Sequence, residues 1–198
     1  MASVKFNEEL EDAILINFLG TKKMLDLVLG IKRIKSFIHV STLYSNCNRQ
    51  KIDEQIYEHT LQYDQLIPLA KVTKHINATA VKTMIFHQLP NTYTLTKHFA
   101  EKLIYDKAFH LPTGIFRPPI VISNYKDYPG WTDNLNGPSG IVAWTVKGFI
   151  HCIYGNESNR ANLVPVDYCI NALIATAWDV SDKYILDLFE FLSDALVT

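Results

Sequence analysis

Two short apolar runs constrain the fold of this chain more than any other feature. They are SFIHVST at residues 36–42 and TGIFRPPIVI at residues 113–122. Short continuous runs rich in Val, Ile and Phe are typical of strands buried on both faces of a parallel sheet. Pro118 and Pro119 lack the amide hydrogen that a sheet ladder needs, so the second strand is expected to end or open there.

Helical patterns separate and flank these strands. Residues 7–32 carry apolar side chains at helical spacing, which predicts one long helix with Asn7 as its N-cap. The same criteria predict further helices within 61–89, from Tyr93 onward, and at 141–151 and 167–180, with a brief strand at 162–166. Strands that alternate with long helices imply right-handed crossovers, so the predicted fold class is α/β.

Composition excludes several classes of function. The 198 residues are 48% hydrophobic, which is enough to bury the core of one domain or most of one. A net charge of -1 provides no basic face for nucleic acid. The 3 cysteines include no CxxC pair and the 7 histidines form no metal-binding motif, so we expect a reducing compartment and no metal site. No apolar run predicts a signal peptide or a membrane span.

Polar side chains occur where the predicted strands end and the Tyr93 helix begins. Ser41 and Thr42 end the first strand, and Arg117 ends the second. Ligands of open α/β sheets bind beyond the carboxyl ends of the strands. Tyr93 and Lys97 share one helical face, where an ammonium group favours the phenolate and makes tyrosine a better proton carrier. Taken alone, however, Tyr-x-x-x-Lys recurs by chance as an ordinary aromatic residue beside a surface charge.

The order of these features resembles the extended short-chain dehydrogenases/reductases. INFLGTKKML, residues 16–25, is similar to their Asn-x-x-Gly-Thr helix, whose asparagine lies near the active site. Asn17 alone would be interpreted as a satisfied polar group on a buried helix. An extended epimerase or dehydratase acting on nucleotide sugars is an alternative, which the loop PGWTDNLNGPSG disfavours.

Finer motifs resemble the alcohol-forming fatty acyl-CoA reductases, the male-sterility-like family. They are FIHVSTLYSNCNRQKIDEQIY, PNTYTLTKHFAEKLI, IFRPPIVI, YPGWTDNLNGPSGI and LVPVDYCINALIATAW. The resemblance implies reduction of a long-chain acyl-CoA by NADPH, first to an aldehyde and then to a primary alcohol. It also implies an intracellular location, with the membrane surface of peroxisomes or endoplasmic reticulum as candidates.

The resemblance also implies roles for individual residues. Tyr93 would donate the proton to the carbonyl oxygen, and Lys97 would lower the tyrosine pKa and bind the nicotinamide ribose. Thr42 fits the strand-end hydroxyl better than Ser41, because neighbouring strand residues point to opposite faces. Asn17 would lie near this site.

Arg117, Asp167 and three residues of a turn-rich loop have both a functional and a structural interpretation. Arg117 is either a cofactor ligand or a buried structural arginine, and the backbone of Pro118 is expected beside the nicotinamide. The residues Tyr128, Trp131 and Asn134 either shape a substrate channel or belong to a turn-rich loop. Asp167 is expected to be a helix N-cap rather than a catalytic acid.

A glycine-rich phosphate-binding turn is absent from the sequence. Its 8 glycines form no GxGxxG, the motif that binds the pyrophosphate at a helix N-terminus. Residues 1–179 are therefore expected to be the C-terminal portion of a Rossmann-like doubly wound parallel sheet without its N-terminal unit. Residues 180–198 form a tail of unknown role, for which a helix is one interpretation. A catalytically inactive fragment is the alternative to an active reductase.

Overall fold

The chain combines helices with parallel strands, which confirms the predicted α/β class. The structure is a computed structural model that describes residues 2–75, 85–156, 158–183 and 187–190. Internal contacts divide it into two compact units, one containing the residues up to Arg117 together with Thr176–Glu190, and the other containing Pro118–Ala175. The sequence-based boundary at residue 179 remains a prediction.

One helical stretch begins the first unit, as the apolar spacing predicts. It consists of helix α1 (Leu10–Ala13), a π-helical segment (Ile14–Leu19) and helix α2 (Gly20–Leu29). The N-cap is Glu9, so the expected cap at Asn7 is wrong. Single π-helical turns inside α-helices are frequent at functional sites.

The sheet of the first unit is parallel and has the strand order β1-β2-β5. Its strands are β1 (Phe37–Val40), β2 (Thr113–Arg117) and β5 (Asp187–Glu190). All five residues of β2 are buried, whereas Val40 is exposed, so burial of β1 on both faces is a wrong expectation. Within the described sheet, β1 has a hydrogen-bonded neighbour on one side only, whereas β2 has one on each side.

Pairing with β2 also corrects the helical interpretation of the tail. Residues 180–183 of the tail are helical, whereas Asp187–Glu190 is a strand aligned in parallel with Gly114–Arg117. A local helical pattern is overridden there by the backbone hydrogen bonds of a neighbouring strand. Residues 184–186 and 191–198 lie outside the described part of the chain.

Two helices and the long helical stretch enclose the core of the first unit. After a 3₁₀ turn (Leu43–Asn46) come helix α3 (Tyr63–His75) and helix α4 (Thr92–Ala108). The predicted segment 61–89 therefore contains α3, while residues 76–84 lie outside the described residues. The buried core cluster comprises Ile14, Phe18, Leu25, Leu66, Ile85, Leu89, Leu95, Phe99, Leu103, Ile104, Ala108 and Ile115.

The second unit contains a parallel strand pair. Strand β3 (Ile120–Ile122) pairs with β4 (Leu163–Pro165), so the predicted break at Pro118 and Pro119 is confirmed. Helix α5 (Pro138–Val146) lies between the two strands in sequence, and helix α6 (Val166–Lys183) follows β4. Among the described helices, none has the combination of length and apolarity that crossing a membrane requires.

Candidate active site

Helix α4 carries two rows of residues on opposite sides. Its N-cap is Asn91, whose side chain accepts a hydrogen bond from the amide of Thr94 at 2.9 Å. Leu95, Phe99 and Leu103 belong to the core cluster. Tyr93, Lys97 and Glu101 also recur every fourth residue, and a rotation of about 100° per residue places them on the other side. The polar row thus lies along one face of a helix whose opposite face is anchored in the core.

Tyr93 and Thr42 meet at the carboxyl end of β1. Burial raises the pKa of Tyr93, and a side-chain hydrogen bond from Thr42 opposes that rise by favouring the phenolate. Thr42 is itself buried and caps the 3₁₀ turn, because its hydroxyl oxygen accepts a hydrogen bond from the Tyr44 amide at 3.3 Å. The phenyl ring of Phe6 lies 5.9 Å from the Tyr93 ring between centroids. A hydroxyl and a phenol therefore converge at this strand end.

Lys97 is held at the same strand end. Its ammonium group donates a hydrogen bond to the carbonyl oxygen of Val40 at 2.7 Å, and the residue is only 7% exposed. Burial lowers the pKa of Lys97, and the nearby carboxylate of Glu101 opposes that change. The proposed effect of Lys97 on the pKa of Tyr93 stays a prediction.

Asn17 lies in the π-helical segment and contacts α4. Its side-chain amide donates to the hydroxyl of Thr96 at 3.1 Å and to the carbonyl of Ser3 at 3.1 Å. Its side-chain oxygen accepts from the amide of Ser3 at 2.8 Å. The structure thus places Asn17 beside the helix of Tyr93 and Lys97, with its side chain bound to other groups of the protein.

Ser41 and Arg117 meet at a carboxylate that the sequence analysis did not identify. The hydroxyl of Ser41 donates to Glu101, so it points away from the side of the strand that Thr42 faces. Arg117 binds both carboxylate oxygens, with Nε 3.0 Å from Oε1 and Nη2 2.7 Å from Oε2. Its guanidinium group also donates to the carbonyls of Asp53 and Gln55 at 3.2 and 2.9 Å.

The remaining donors to Glu101 come from the 3₁₀ turn. The hydroxyl of Ser45 lies 2.8 Å from Oε1, and the amide of Asn46 lies 3.5 Å from Oε2. Burial alone would raise the pKa of Glu101, but the hydrogen bonds and charge of Arg117, with the two serine hydroxyls, hold that pKa below its usual value. The signal that identifies Glu101 in the sequence is its position four residues after Lys97 on the same helical face.

The other predicted residues lie in the second unit. Tyr128, Trp131 and Asn134 are exposed, and Pro118 is buried directly after β2. Asp167 lies in the first turn of α6 rather than at its N-cap, and its carboxylate accepts hydrogen bonds from the backbone amides of Tyr125 and Lys126. The structure therefore brings together Thr42, Tyr93 and Lys97 in the first unit, and it gives Asp167 a role in holding a loop.

The donor set suits a carbonyl or hydroxyl ligand. Among the described residues, Lys97 uses one of its three N–H donors on the protein, which leaves two for the hydroxyl oxygens of a sugar. The phenol of Tyr93 and the hydroxyl of Thr42 can both donate to a carbonyl oxygen. Within the described part of the chain, no group of three or more His, Cys, Asp or Glu side chains is arranged to hold a metal ion.

Comparison with solved structures identifies the fold. UDP-glucuronic acid 4-epimerase from Bacillus cereus, solved in complex with NAD, matches with a TM-score of 0.58 and 18% identity. The match covers 96% of this chain and 51% of that chain. The fold is therefore Rossmann-like, as the sequence predicts.

Sequence comparison identifies the family. Fatty acyl-CoA reductase wat of Drosophila melanogaster is 39% identical over 185 residues, which are 92% of this chain and 36% of that protein. Fatty acyl-CoA reductase 1 of Homo sapiens is 36% identical over 178 residues, covering 89% of this chain and 35% of that protein. The chain thus spans about a third of the length of these curated relatives. Residues 1–173 match the model of an NAD-binding family described as Male sterility protein, and the chain belongs to that family.

Proposed function

We propose that this chain forms the carbonyl-reducing part of an alcohol-forming fatty acyl-CoA reductase. The substrate would be a long-chain acyl-CoA, the reductant NADPH and the product a primary alcohol. Membership of the family and 39% identity to a protein named fatty acyl-CoA reductase support this proposal. Because the chain spans about a third of that relative, the activity is proposed for a longer protein that contains it.

The observation that carries the proposal is the convergence of Thr42, Tyr93 and Lys97 at the end of β1. The pKa of Tyr93 is affected by a hydrogen bond from Thr42, and Lys97 lies on the same helical face one turn later. These residues come from a strand end and a helix that share one compact unit, so their geometry is set by the packing of that unit.

The residues present fit the nicotinamide and ribose half of the cofactor. The two N–H donors of Lys97 that Val40 does not use match the acceptor oxygens of a ribose, and the buried position shields them from water. When bound, NADPH supplies the hydride for each of the two reductions. The pyrophosphate half needs a glycine-rich turn, which the sequence of this chain does not contain.

The residues of the chain would act on the substrate carbonyl. Thr42 donates a hydrogen bond that orients the carbonyl oxygen against the phenol of Tyr93. In the thioester step, the carbonyl carbon would gain a hydride and its bond to sulfur would break, and the departing thiolate would take a proton from solvent, giving the aldehyde and the thiol of coenzyme A. In the aldehyde step, Tyr93 transfers its proton to the oxygen as the carbon is reduced, giving the alcohol. Lys97 holds the ribose and, when charged, favours the phenolate that remains.

The test uses a reductase in which this sequence follows a glycine-rich nucleotide-binding unit. Tyr93→Phe keeps the ring but removes the proton donor, so kcat should fall by about 100- to 10,000-fold with little change in NADPH affinity. Tyr105→Phe, on an exposed turn of the same helix, is the matched control and should retain the rate. Products are identified after incubation with a long-chain acyl-CoA and NADPH. Normal alcohol formation by Tyr93→Phe would contradict the proposal.

Lys97→Met separates cofactor binding from proton transfer. Loss of the ammonium group should weaken NADPH binding as well as turnover, whereas Lys107→Met, at an exposed position of the last turn of α4, should change neither. Binding is measured by calorimetry with NADPH and NADH in parallel, because the preference between the two cofactors is part of the proposal. Unchanged NADPH affinity in Lys97→Met would remove Lys97 from the cofactor site.

A further inference from the structure

The buried carboxylate of Glu101 joins the segments on both sides of Thr42. The hydroxyl of Ser41, the preceding residue, donates to Glu101 Oε1. The hydroxyl of Ser45, three residues after Thr42, lies 2.8 Å from the same oxygen and 2.9 Å from the carbonyl oxygen of Thr42. The amide of Ser45 also donates to that carbonyl at 3.2 Å. Thr42 is therefore held between two residues that share one acceptor.

Arg117 fixes the position of this acceptor. Two of its nitrogens bind the two oxygens of Glu101, and two further N–H groups donate to the carbonyls of Asp53 and Gln55. The side chains of Arg117 and Glu101 are 1% and 2% exposed. A buried bidentate ion pair has one strongly preferred geometry, because neither charge is satisfied by water if the pair separates.

Helix α4 carries both the anchor and the phenol. Glu101 holds Ser41 and Ser45, Lys97 holds the carbonyl of Val40, and Tyr93 lies on the same face of that helix. The same helix therefore holds the end of β1 and carries the phenol of Tyr93. A shift of Thr42 relative to Tyr93 requires at least one of these buried contacts to break.

We propose that Glu101, held by Arg117, is a positioning residue that places the Thr42 hydroxyl against the Tyr93 phenol through Ser41 and Ser45. The value of this placement for catalysis rests on the proposed function. The placement itself is measurable in the same reductase without cofactor or substrate, so the placement and the proposed function can fail separately.

The experiment follows the ¹³Cζ resonance of Tyr93 from neutral pH to above the ordinary tyrosine pKa of about 10. The resonance is assigned with Tyr93→Phe, and circular dichroism confirms that each variant stays folded over the range compared. Thr42→Val removes the hydroxyl that lowers the pKa of Tyr93, and it sets the reference effect, a rise in the measured pKa of Tyr93 of about 0.5 to 1. Ser41→Ala/Ser45→Ala removes both connections and leaves the Glu101–Arg117 pair in place. Glu58→Gln alters an exposed ion pair with Lys102 and is the matched control.

In Ser41→Ala/Ser45→Ala, the pKa of Tyr93 should rise by at least half of the rise seen in Thr42→Val. In Glu58→Gln, it should not change. Glu101→Gln, where it folds, should raise the pKa of Tyr93 too. Loss of a negative charge alone would lower that pKa, so the sign distinguishes positioning from simple electrostatics. If the network only stabilises the fold, the serine variants melt earlier but the pKa of Tyr93 in the folded state is unchanged. That result, or an unchanged pKa in Thr42→Val, would overturn the proposal.

Discussion

Helix α4 and the aromatic loop of residues 124–137 both supply predicted site residues, but their environments are opposite. On α4, Lys97 and Glu101 are buried and each has protein partners for its charge. In the aromatic loop, Tyr128 and Trp131 are 73% and 56% exposed.

The local hydrogen bonds of the aromatic loop explain its composition. The side chain of Asn124 accepts from the amides of Asp127 and Tyr128, and that of Asn134 accepts from the amide of Asn136. These are contacts that asparagine makes in turns. A turn thus accounts for the polar residues of the loop, whereas the buried charges of α4 need compensation that a surface helix would not.

The largest expected effect is the loss of stability when a buried charge, rather than an exposed one, is removed. Glu101→Gln leaves the buried guanidinium of Arg117 without its counter-charge, which should lower the free energy of unfolding by about 3–5 kcal/mol. Glu58→Gln removes one exposed partner of Lys102 and should cost about 1 kcal/mol or less. Urea denaturation of both variants measures the difference. Equal losses would show that burial of the Glu101 pair carries no special stabilisation.

A second effect is expected from His39, a buried residue of β1 whose pKa is affected by the charges of Lys97 and Glu101. Burial first, and then the charge of Lys97, lower its pKa from 6.5 to about 4, with Glu101 opposing. The unfolded chain takes up this proton near pH 6.5 and the folded chain near pH 4, so stability is present above pH 6.5 and is lost as the pH falls between these values. The loss at pH 4 should be about 3 kcal/mol for this group.

His39→Gln tests that assignment. Urea denaturation from pH 7 to pH 4 should show a shallower fall in stability than in the unmodified chain, while His110→Gln, at an exposed position, should leave the slope unchanged. Part of the slope should remain in His39→Gln because the pKa values of His59 and His98 are also lowered by burial. An unaltered slope in His39→Gln would mean that His39 can be protonated without opening the fold.

A third comparison concerns two glycines, one in the buried strand β2 and one in the aromatic loop. A Cβ at Gly114 on β2 would lie 2.9 Å from Ile38 and 3.0 Å from Val180, so Gly114→Ala should destabilise by about 1–3 kcal/mol through overpacking. Gly130 in the aromatic loop has open space around it but a φ of +82°. Gly130→Ala should cost about 1 kcal/mol through backbone strain alone. Thermal unfolding measures both losses. Gly130→Asn should be more stable than Gly130→Ala, since asparagine tolerates positive φ, whereas Gly114→Ser should be no more stable than Gly114→Ala.

The local features of the fold and its α/β class were predictable, whereas the pairing of an individual distant strand was not. The proline break after Arg117 and the helix starting near Tyr93 depend on neighbouring residues, and both are confirmed. The strand at Asp187–Glu190 depends on pairing with β2, which no local pattern encodes.

The candidate site shows the same division. The preference for Thr42 over Ser41 came from the alternation of strand side chains, and the hydroxyl of Ser41 indeed points to Glu101. The sequence does not decide whether Arg117 is a ligand or a structural residue, because its partner Glu101 lies on a different element. The sequence places Glu101 four residues after Lys97 on the same helical face. It does not show that Glu101 is buried, because the burial depends on contact with Arg117 from a different element.

The smallest expected effect decides whether the aromatic loop also has a function. Trp131→Ala should change the free energy of unfolding by no more than about 0.5 kcal/mol, because an exposed side chain has little packing to lose. If the loop lines an acyl channel in the complete reductase, the lost aromatic contact is worth about 0.5–1.5 kcal/mol and should raise KM for a long-chain acyl-CoA about 2- to 10-fold. Turnover at saturation should stay constant, since such a contact binds substrate and transition state alike. The effect should vanish with a short-chain acyl-CoA, and Trp178→Ala, another exposed tryptophan, should show neither change. An unchanged KM for both substrates would leave the loop with the turn geometry that its asparagines already explain.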